Sequence, residues 1–371
     1  MKILKIGDPK VIMTPPTGKH DYFAWPTVAR LKNGRIAAVA SGFRLRHICP
    51  FGKTVISYSE NEGETYTLPA PVIDTVLDDR DGGITPFGES GVIVASFNNT
   101  VDFQRNNSDP TRGTASYKKT GNAKSAYDLA YLDLVSPEEE KEALGSTFRI
   151  SFDNGVTFGE IYKSPISSPH GPTELSDGTL LWVGRTFNSP VDRIEAHTID
   201  PSNGKMTFVG AIDSVFDDDG ARFISCEPHT IELPNGDLIT HIRIQRVGEN
   251  PCFTIYQSVS SDKGKTWGSP EPILSRLGGS PPHLMISSDG TVICTYGYRE
   301  QPYGIKAIFS RDNGKTWENE VDIDVNGVSK DIGYPSTVEL SDGSFITVYY
   351  AHKTKADSAA IMQQKWKLID Q

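Results

Sequence analysis

The sequence predicts an all-β fold, a six-bladed β-propeller with four-stranded antiparallel blades, and three observations carry that expectation. A Ser-x-Asp-x-Gly-x-Thr-aromatic motif recurs along the chain, a polar-Gly turn recurs at near-constant spacing, and the 371 residues include 34 Gly and 24 Pro. Self-similarity at a fixed period marks a fold assembled from like units, none of which can bury its apolar face alone. A hydrophobic fraction of 37% with this much Gly and Pro suits many short strands joined by tight turns, not a helical bundle.

Two copies of the eight-residue motif are clean, Ser260–Trp267 and Ser310–Trp317. A third, Ser151–Phe158, replaces Trp with Phe, and a fourth, Ser59–Tyr66, has Asn61 for Asp and Tyr66 for Trp. The pattern suits a β-hairpin. The Asp accepts hydrogen bonds from turn amides, the Gly takes a positive φ, and the aromatic fills a gap between strands.

The turn series is independent of the first. It runs through Gly34, Gly91, Gly178, Gly236, Gly290 and Gly343, each followed by a strand-like run such as Leu180-Leu181-Trp182-Val183. The spacing lies in the fifties except between Gly91 and Gly178, which is about 30 residues longer; six such turns fit six blades, each with an inner hairpin. The excess falls at about 102–146, a polar stretch expected as an insertion from blade 2. Within it Ser136 reads as an N-cap, Pro137 as the first helical position, Glu138 to Glu140 as an acidic first turn and Gly145 as the stop. The apolar runs Ile3–Met13 and Ala359–Leu368 are expected to pair in or beside the last blade, which would remove exposed edges. No linker divides the chain, so residues 1–371 are expected to form one domain.

Composition narrows the partners. With 37 Lys+Arg against 47 Asp+Glu the net charge is −10, which disfavours nucleic acid and anionic membranes. No apolar run is long enough to cross a bilayer. Lys2 is followed by no apolar export segment, so a cytoplasmic location is expected. Cys49, Cys226, Cys252 and Cys294 are scattered, lack CxxC spacing, and read as reduced and mostly buried. No cofactor is called for.

Taken with the blade arithmetic, the four eight-residue motifs, known as Asp boxes, make the chain resemble the sialidase superfamily along nearly its whole length. The stretch from Tyr296-Gly297-Tyr298-Arg299 through Asp331–Ser336 to Tyr349-Tyr350 is similar to bacterial BNR-repeat proteins. The resemblance implies a tyrosine nucleophile at Tyr334 assisted by Glu227, with Arg243 as the second arginine of a carboxylate-binding triad. It puts Lys306 at the third triad position and Ala24 where the first arginine would stand. The blade-1 tract Arg44–Lys53, where an acid/base Asp belongs, contains no acid. Neither Ala nor Lys reproduces a planar bidentate guanidinium. The resemblance therefore implies a sialidase-like enzyme that is not an ordinary sialidase.

Read without the family, residues upstream of each inner turn converge on one mouth of the channel. Trp25, Glu227 and Tyr334 lie nine residues before their turn glycines, His229 and His283 seven, and His170 eight. Positions nine and seven upstream share a strand face. Blade 2 offers Asp79, Arg80 and Asp81, either as functional groups or as an ion-pair knot. Candidate catalytic residues are thus Tyr334, Glu227, Asp79 and Asp81. Candidate substrate contacts are Arg80, Arg243, Arg299, Lys306, Trp25, His47, His170, His229 and His283. Trp25 would stack on a sugar or fill the core. The histidines, one per blade, lack local metal-ligand spacing, so no metal is assigned. Two chemistries fit a glycoside hydrolase: Glu227 activating Tyr334 as nucleophile, or Asp79 or Asp81 paired with Glu227 as acid and base. The alternatives are a non-catalytic glycan-binding propeller and a polysaccharide lyase with Tyr334 or a histidine as base. In each case the expected partner is carbohydrate.

Overall fold

The computed structural model describes residues 1–14, 18–108, 122–187, 189–217, 219–246, 252–274, 278–318, 320–354 and 358–369, without the side chains of 122–124, 252 and 280. Six antiparallel sheets follow one another along the chain, each with its first strand against the channel. The innermost strands are Tyr22–Arg30, Arg80–Phe87, the split pair Ile166–Ser167 and Thr173–Glu174, then Ile224–Glu232, Gly279–Ile286 and Gly333–Glu339. The last sheet closes the ring: Lys2–Met13 pairs with Ala359–Ile369 as the outermost strand of blade 6. The expected closure therefore holds.

The apolar core is divided into six clusters, and each sits in the gap between neighbouring blades. Val28, Ala38 and Val55 of blade 1 meet Val338, Ile346 and Ile361 of blade 6, for example. Phe87 and Phe148 of blade 2 meet Trp182 and Ile199 of blade 3. Both faces of most strands are buried, which explains continuous runs such as Ile36 to Ala40 instead of strict alternation.

The Asp boxes form the turns between third and fourth strands of blades 1, 2, 4 and 5. In each, the Ser Oγ accepts the Gly amide, at 2.9 Å for Gly63, Gly155 and Gly264 and 2.8 Å for Gly314. The Asp or Asn Oδ1 accepts the Thr amide at 2.8–2.9 Å. The aromatic fills a gap between blades, not within one: Trp267 packs against the blade 3–4 cluster and Trp317 against the blade 4–5 cluster.

Inner turns and Asp boxes lie at the same end of the molecule, because first-to-second and third-to-fourth turns of an antiparallel sheet share an end. Three glutamates clasp neighbouring blades there. Each ends an innermost strand and accepts an amide from the preceding blade's inner turn: Glu174 from Gly88 at 2.6 Å, Glu232 from Ser176 at 2.5 Å and Glu339 from Ser288 at 2.6 Å.

The opposite ends of the innermost strands carry a repeated irregularity. Registers shift by one residue between Ala24 and Thr27, Arg80 and Gly83, Cys226 and His229, Gly279 and Pro282, and Gly333 and Ser336. Each is a β-bulge with one extra residue, which bends the strand and re-aims a side chain. Trp25, Asp81, Glu227 and Tyr334 occupy these bulges with φ of 56°, 49°, 50° and 52°. Proline follows three of them, at Pro26, Pro228 and Pro335, where a bulge tolerates the missing amide.

Between the second and third strands of blade 2 lie helices α1 (Val101–Ser108), α2 (Asn122–Leu132) and α3 (Pro137–Ala143). α3 is the expected helix, with a capping box between Ser136 and Glu139. α1 and α2 were not expected. They pack on the blade-1 tract 44–53, where Asp128 pairs with Arg46 and Tyr131 packs on Phe51. Cys49, Cys226 and Cys294 are free and buried; the side chain of Cys252 lies outside the described residues.

Candidate active site

Two bulges, 107 residues apart in sequence, bring Tyr334 and Glu227 together. The Tyr334 hydroxyl donates to Glu227 Oε1 at 2.6 Å, and Arg243 Nη1 donates to Glu227 Oε2 at 2.5 Å. Arg243 also holds Gln245 Oε1 at 2.6 Å. Burial, then the Glu227 and Asp81 carboxylates, push the Tyr334 hydroxyl well above the usual phenol range. Burial acts to lower Arg243, but Glu227, Cys226 and Tyr334 together outweigh it and hold the guanidinium firmly charged. Phe253 braces this group, with the Arg243 guanidinium 4.3 Å and the Arg299 guanidinium 5.6 Å from its ring centre. Arg299 also lies 5.8 Å from the Tyr334 ring.

Asp81 and Glu227 line one cavity of about 580 Å³ that runs outward between blades 2, 3 and 4, past Phe97, Phe187 and Arg185. Asp81 is 6% exposed and its Oδ1 is buried without a hydrogen-bond partner, as is Nε of Arg243. Burial raises the Asp81 carboxyl to about 7, with Arg80 opposing and Glu227 adding to the rise. Buried unsatisfied polar atoms in native structures call for an explanation, and a ligand-facing cavity is one.

The remaining expected site residues separate into three groups. Asp79 is turned away from the mouth: it accepts the Thr75 amide at 2.6 Å, the Thr75 hydroxyl at 2.9 Å and the Asn98 amide at 3.3 Å, so it ties a loop. Lys306 is not brought to Tyr334 either. Its ammonium sits 3.2 Å from Glu320 and 3.6 Å from Asp322, beside the Tyr298 ring. The cation beside the tyrosine is Arg299. Trp25 is 1% exposed and offers no open face to a sugar; Arg80 and Arg44 stand over its ring at 4.0 and 4.7 Å. Two guanidiniums thus stand over the residue that follows Ala24 in sequence, both engaged by Asp78.

His170, His229 and His283 meet inside the channel, with ring centres 4.6–5.0 Å apart. Burial lowers all three, His229 to about 3. Nδ1 of His229 accepts the Leu284 amide at 2.8 Å and Nδ1 of His283 the Thr337 amide at 3.3 Å. In these neutral rings Nε2 then carries the proton, the opposite of what metal ligation through Nε2 requires. Among the described residues no cluster of His, Cys, Asp or Glu is arranged to hold a metal.

A second polar group, beyond Trp25, was not expected. Asp331 accepts from the hydroxyls of Tyr22 and Tyr350, each at 2.9 Å, and meets His352 Nε2 at 2.9 Å and His47 Nδ1 at 3.2 Å. Burial acts to raise its carboxyl, but the hydrogen bonds from His352 and His47 hold it well below the usual carboxylate range. One sequence signal pointed here: Asp331 precedes Tyr334 by three residues, as Tyr22 precedes Trp25 and Asp78 precedes Asp81. Arg185 and Phe253 had no such signal.

Six four-stranded blades closed by the terminal strands, with a tyrosine and a glutamate on strand bulges and an arginine on the neighbouring strand, define a sialidase-like β-propeller. The chain belongs to the BNR repeat-like domain family, which its sequence matches over residues 129–347. Among curated proteins none matches the sequence. Solved structures that resemble it include a protein of unknown function from Dyadobacter fermentans, 19% identical with a TM-score of 0.74, the match covering 99% of each chain. The NanB sialidase of Streptococcus pneumoniae is 14% identical with a TM-score of 0.68, over 97% of this chain and 70% of that one. An α-L-arabinofuranosidase, Arb93A of Fusarium graminearum, is 12% identical with a TM-score of 0.62, over 97% and 98%. At such identities the likeness carries the fold, and function rests on the site.

Proposed function

We propose that the protein is a glycoside hydrolase acting on a glycan or oligosaccharide, and that an anionic substituent of the sugar is held by Arg243 and Arg299. The observation that carries this reading is the Tyr334–Glu227 hydrogen bond of 2.6 Å, with Arg243 on the second carboxylate oxygen. A buried phenol is a poor nucleophile as it stands. With Glu227 accepting its proton in the transition state, the developing aryl oxide attacks an anomeric carbon, and Arg243 steadies the carboxyl as its charge changes. Asp81, protonated up to about pH 7, supplies a hydrogen-bond donor to a substrate oxygen in the same cavity. Ala24 leaves the carboxylate triad incomplete, so a substrate other than an ordinary sialoside is expected.

The test is a hydrolysis screen of a glycan and aryl-glycoside library, followed by Tyr334→Phe on the best substrate. The variant removes one hydroxyl and keeps the ring, so fold and affinity should persist while kcat falls by two or more orders of magnitude. A parent protein that binds glycans and turns over none would instead support the binding propeller. Unchanged turnover in Tyr334→Phe would leave Asp81 and Glu227 as the working pair.

A further inference from the structure

We propose that His47, oriented by Asp331, is the group that protonates the departing oxygen and then activates water in the reaction proposed above. The inference rests on that reading and names the proton-transfer residue it lacks. Tyr334 and Glu227 account for attack on the anomeric carbon, but a glycosidic oxygen leaves poorly without a proton, and a positioned acid is worth about 10²–10⁴ in rate.

Two groups compete for the role. Asp81 lines the same cavity as Glu227, but it is 6% exposed and its Oδ1 is buried. The second half of the reaction needs a base that incoming water can reach. His47 is 33% exposed, on the loop joining the second and third strands of blade 1. Its ring packs edge-on to Trp25 with centres 4.9 Å apart, and Trp25 in turn lies 6.4 Å from the Tyr334 ring. One indole therefore sets the position of both.

The surroundings of His47 suit proton transfer. Nδ1 is taken by Asp331 at 3.2 Å and lies 3.1 Å from the Tyr22 hydroxyl, which leaves Nε2 as the exchangeable position. A carboxylate on Nδ1–H fixes the tautomer and stabilises the imidazolium that donates the proton and is restored when water gives one back. Asp331 is itself held by Tyr22, Tyr350 and His352, so it is a positioning residue. The other charges facing His47 are Arg44 and Arg80, which donate to its backbone carbonyl at 2.7 and 2.9 Å. Burial lowers the imidazole, Asp331 opposes, and the two arginines add to the lowering. At neutral pH most of the population is then the base, which favours an acidic optimum for the glycosyl-transfer step.

The steps balance. The Tyr334 proton passes to Glu227 as the aryl oxygen bonds to the anomeric carbon. The carbon–oxygen bond to the leaving group breaks, and that oxygen takes the proton from His47 Nε2. Water then attacks the same carbon and gives a proton to Nε2. The Tyr334–carbon bond breaks, and the phenoxide recovers its proton from Glu227.

The experiment compares 2,4-dinitrophenyl and 4-methylumbelliferyl glycosides of hexoses, pentoses and uronic acids in the parent, His47→Gln, Asp331→Asn and Asp81→Asn. Dinitrophenolate leaves without a proton. His47→Gln should therefore lose about 10²-fold or more on the methylumbelliferyl substrate, much less on the dinitrophenyl one, and recover with azide. Asp331→Asn should move the alkaline limb of kcat/KM to lower pH, and histidine NMR titration of intact parent should place His47 on that limb. Equal losses on both leaving groups, or no loss, would overturn the inference and leave the hydrolase reading standing. So would the leaving-group signature appearing in Asp81→Asn, or a His47 titration unrelated to the limb. If the parent hydrolyses none of the glycosides, the hydrolase reading fails and this inference fails with it.

Discussion

At the residue scale the site is built under strain. Trp25, Asp81, Glu227 and Tyr334 all hold φ between 49° and 56°, which costs a non-glycine residue about 1–3 kcal/mol and persists only where the surroundings impose it. Asp81 adds an electrostatic cost. Its folded carboxyl is raised to about 7, above the roughly 3.9 of an unfolded chain, so the folded state binds the extra proton between those values. Stability from this group is complete below the unfolded value and is lost as pH rises through 7. Asp81→Asn should thus be neutral at pH 4 and more stable than the parent at pH 8, with a Tm raised by a few degrees while turnover drops. A Tm gain independent of pH would refute the assignment. Arg299 and Lys306 give a sharper contrast. Arg299→Ala should raise KM for an anionic substrate about tenfold or more, whereas Lys306→Ala should leave KM within twofold, because its partners are Glu320 and Asp322.

At the scale of single elements, each innermost strand divides its labour between two ends. One end carries the bulge and the mouth residues; the other, about 17 Å away for the five residues from Glu227 to Glu232 at roughly 3.3 Å each, carries the interblade clasp and leads into the inner turn. Glu232 and Glu339 serve clasps on different blades, with no shared partner. Glu232→Ala and Glu339→Ala should each cost about 1 kcal/mol in urea unfolding, and the double variant about the sum. KM should not move, since both lie far from the mouth. Strong non-additivity would mean that the clasps act as one ring. The turns here were readable in the sequence because their hydrogen bonds span only two to four residues, as between Ser310 and Gly314. α1 and α2 were not readable, because all but one of their buried positions are polar: Gln104, Ser108, Ser125 and Asp128, against Leu132 alone. Without apolar residues at helical spacing there is no periodic signal to find.

Over the whole molecule, ring closure decides stability and leaves chemistry elsewhere. Lys2–Met13 covers the edge of Ala359–Ile369, and Met1 reaches Glu318 of blade 5 at 2.7 Å. Removing residues 1–13 exposes a strand edge that can pair with another chain. That variant should melt at lower temperature and elute as larger species in size-exclusion chromatography, while any remaining monomer keeps the Tyr334–Glu227 site. A monomeric truncation with unchanged Tm would show that the outer strand contributes nothing to closure.

Sequence alone was enough for blade number, the closing strands and the α3 cap, because repeats and turn chemistry are local and recur; the pairing of Tyr334 with Glu227 came from the resemblance to the sialidase superfamily. Only the tertiary structure decided which charged residues face one another. The one-residue bulges reset which side chains point into the mouth, and a strand-face count from sequence cannot include them. That is why Asp81, on a bulge, turns into the cavity while Asp79, two residues before it, ties a loop; Lys306 lies off the site because Glu320 and Asp322 hold it on the third strand of blade 5. Asp331 meets Tyr22 across 309 residues of chain, a contact that exists only because the last blade closes against the first.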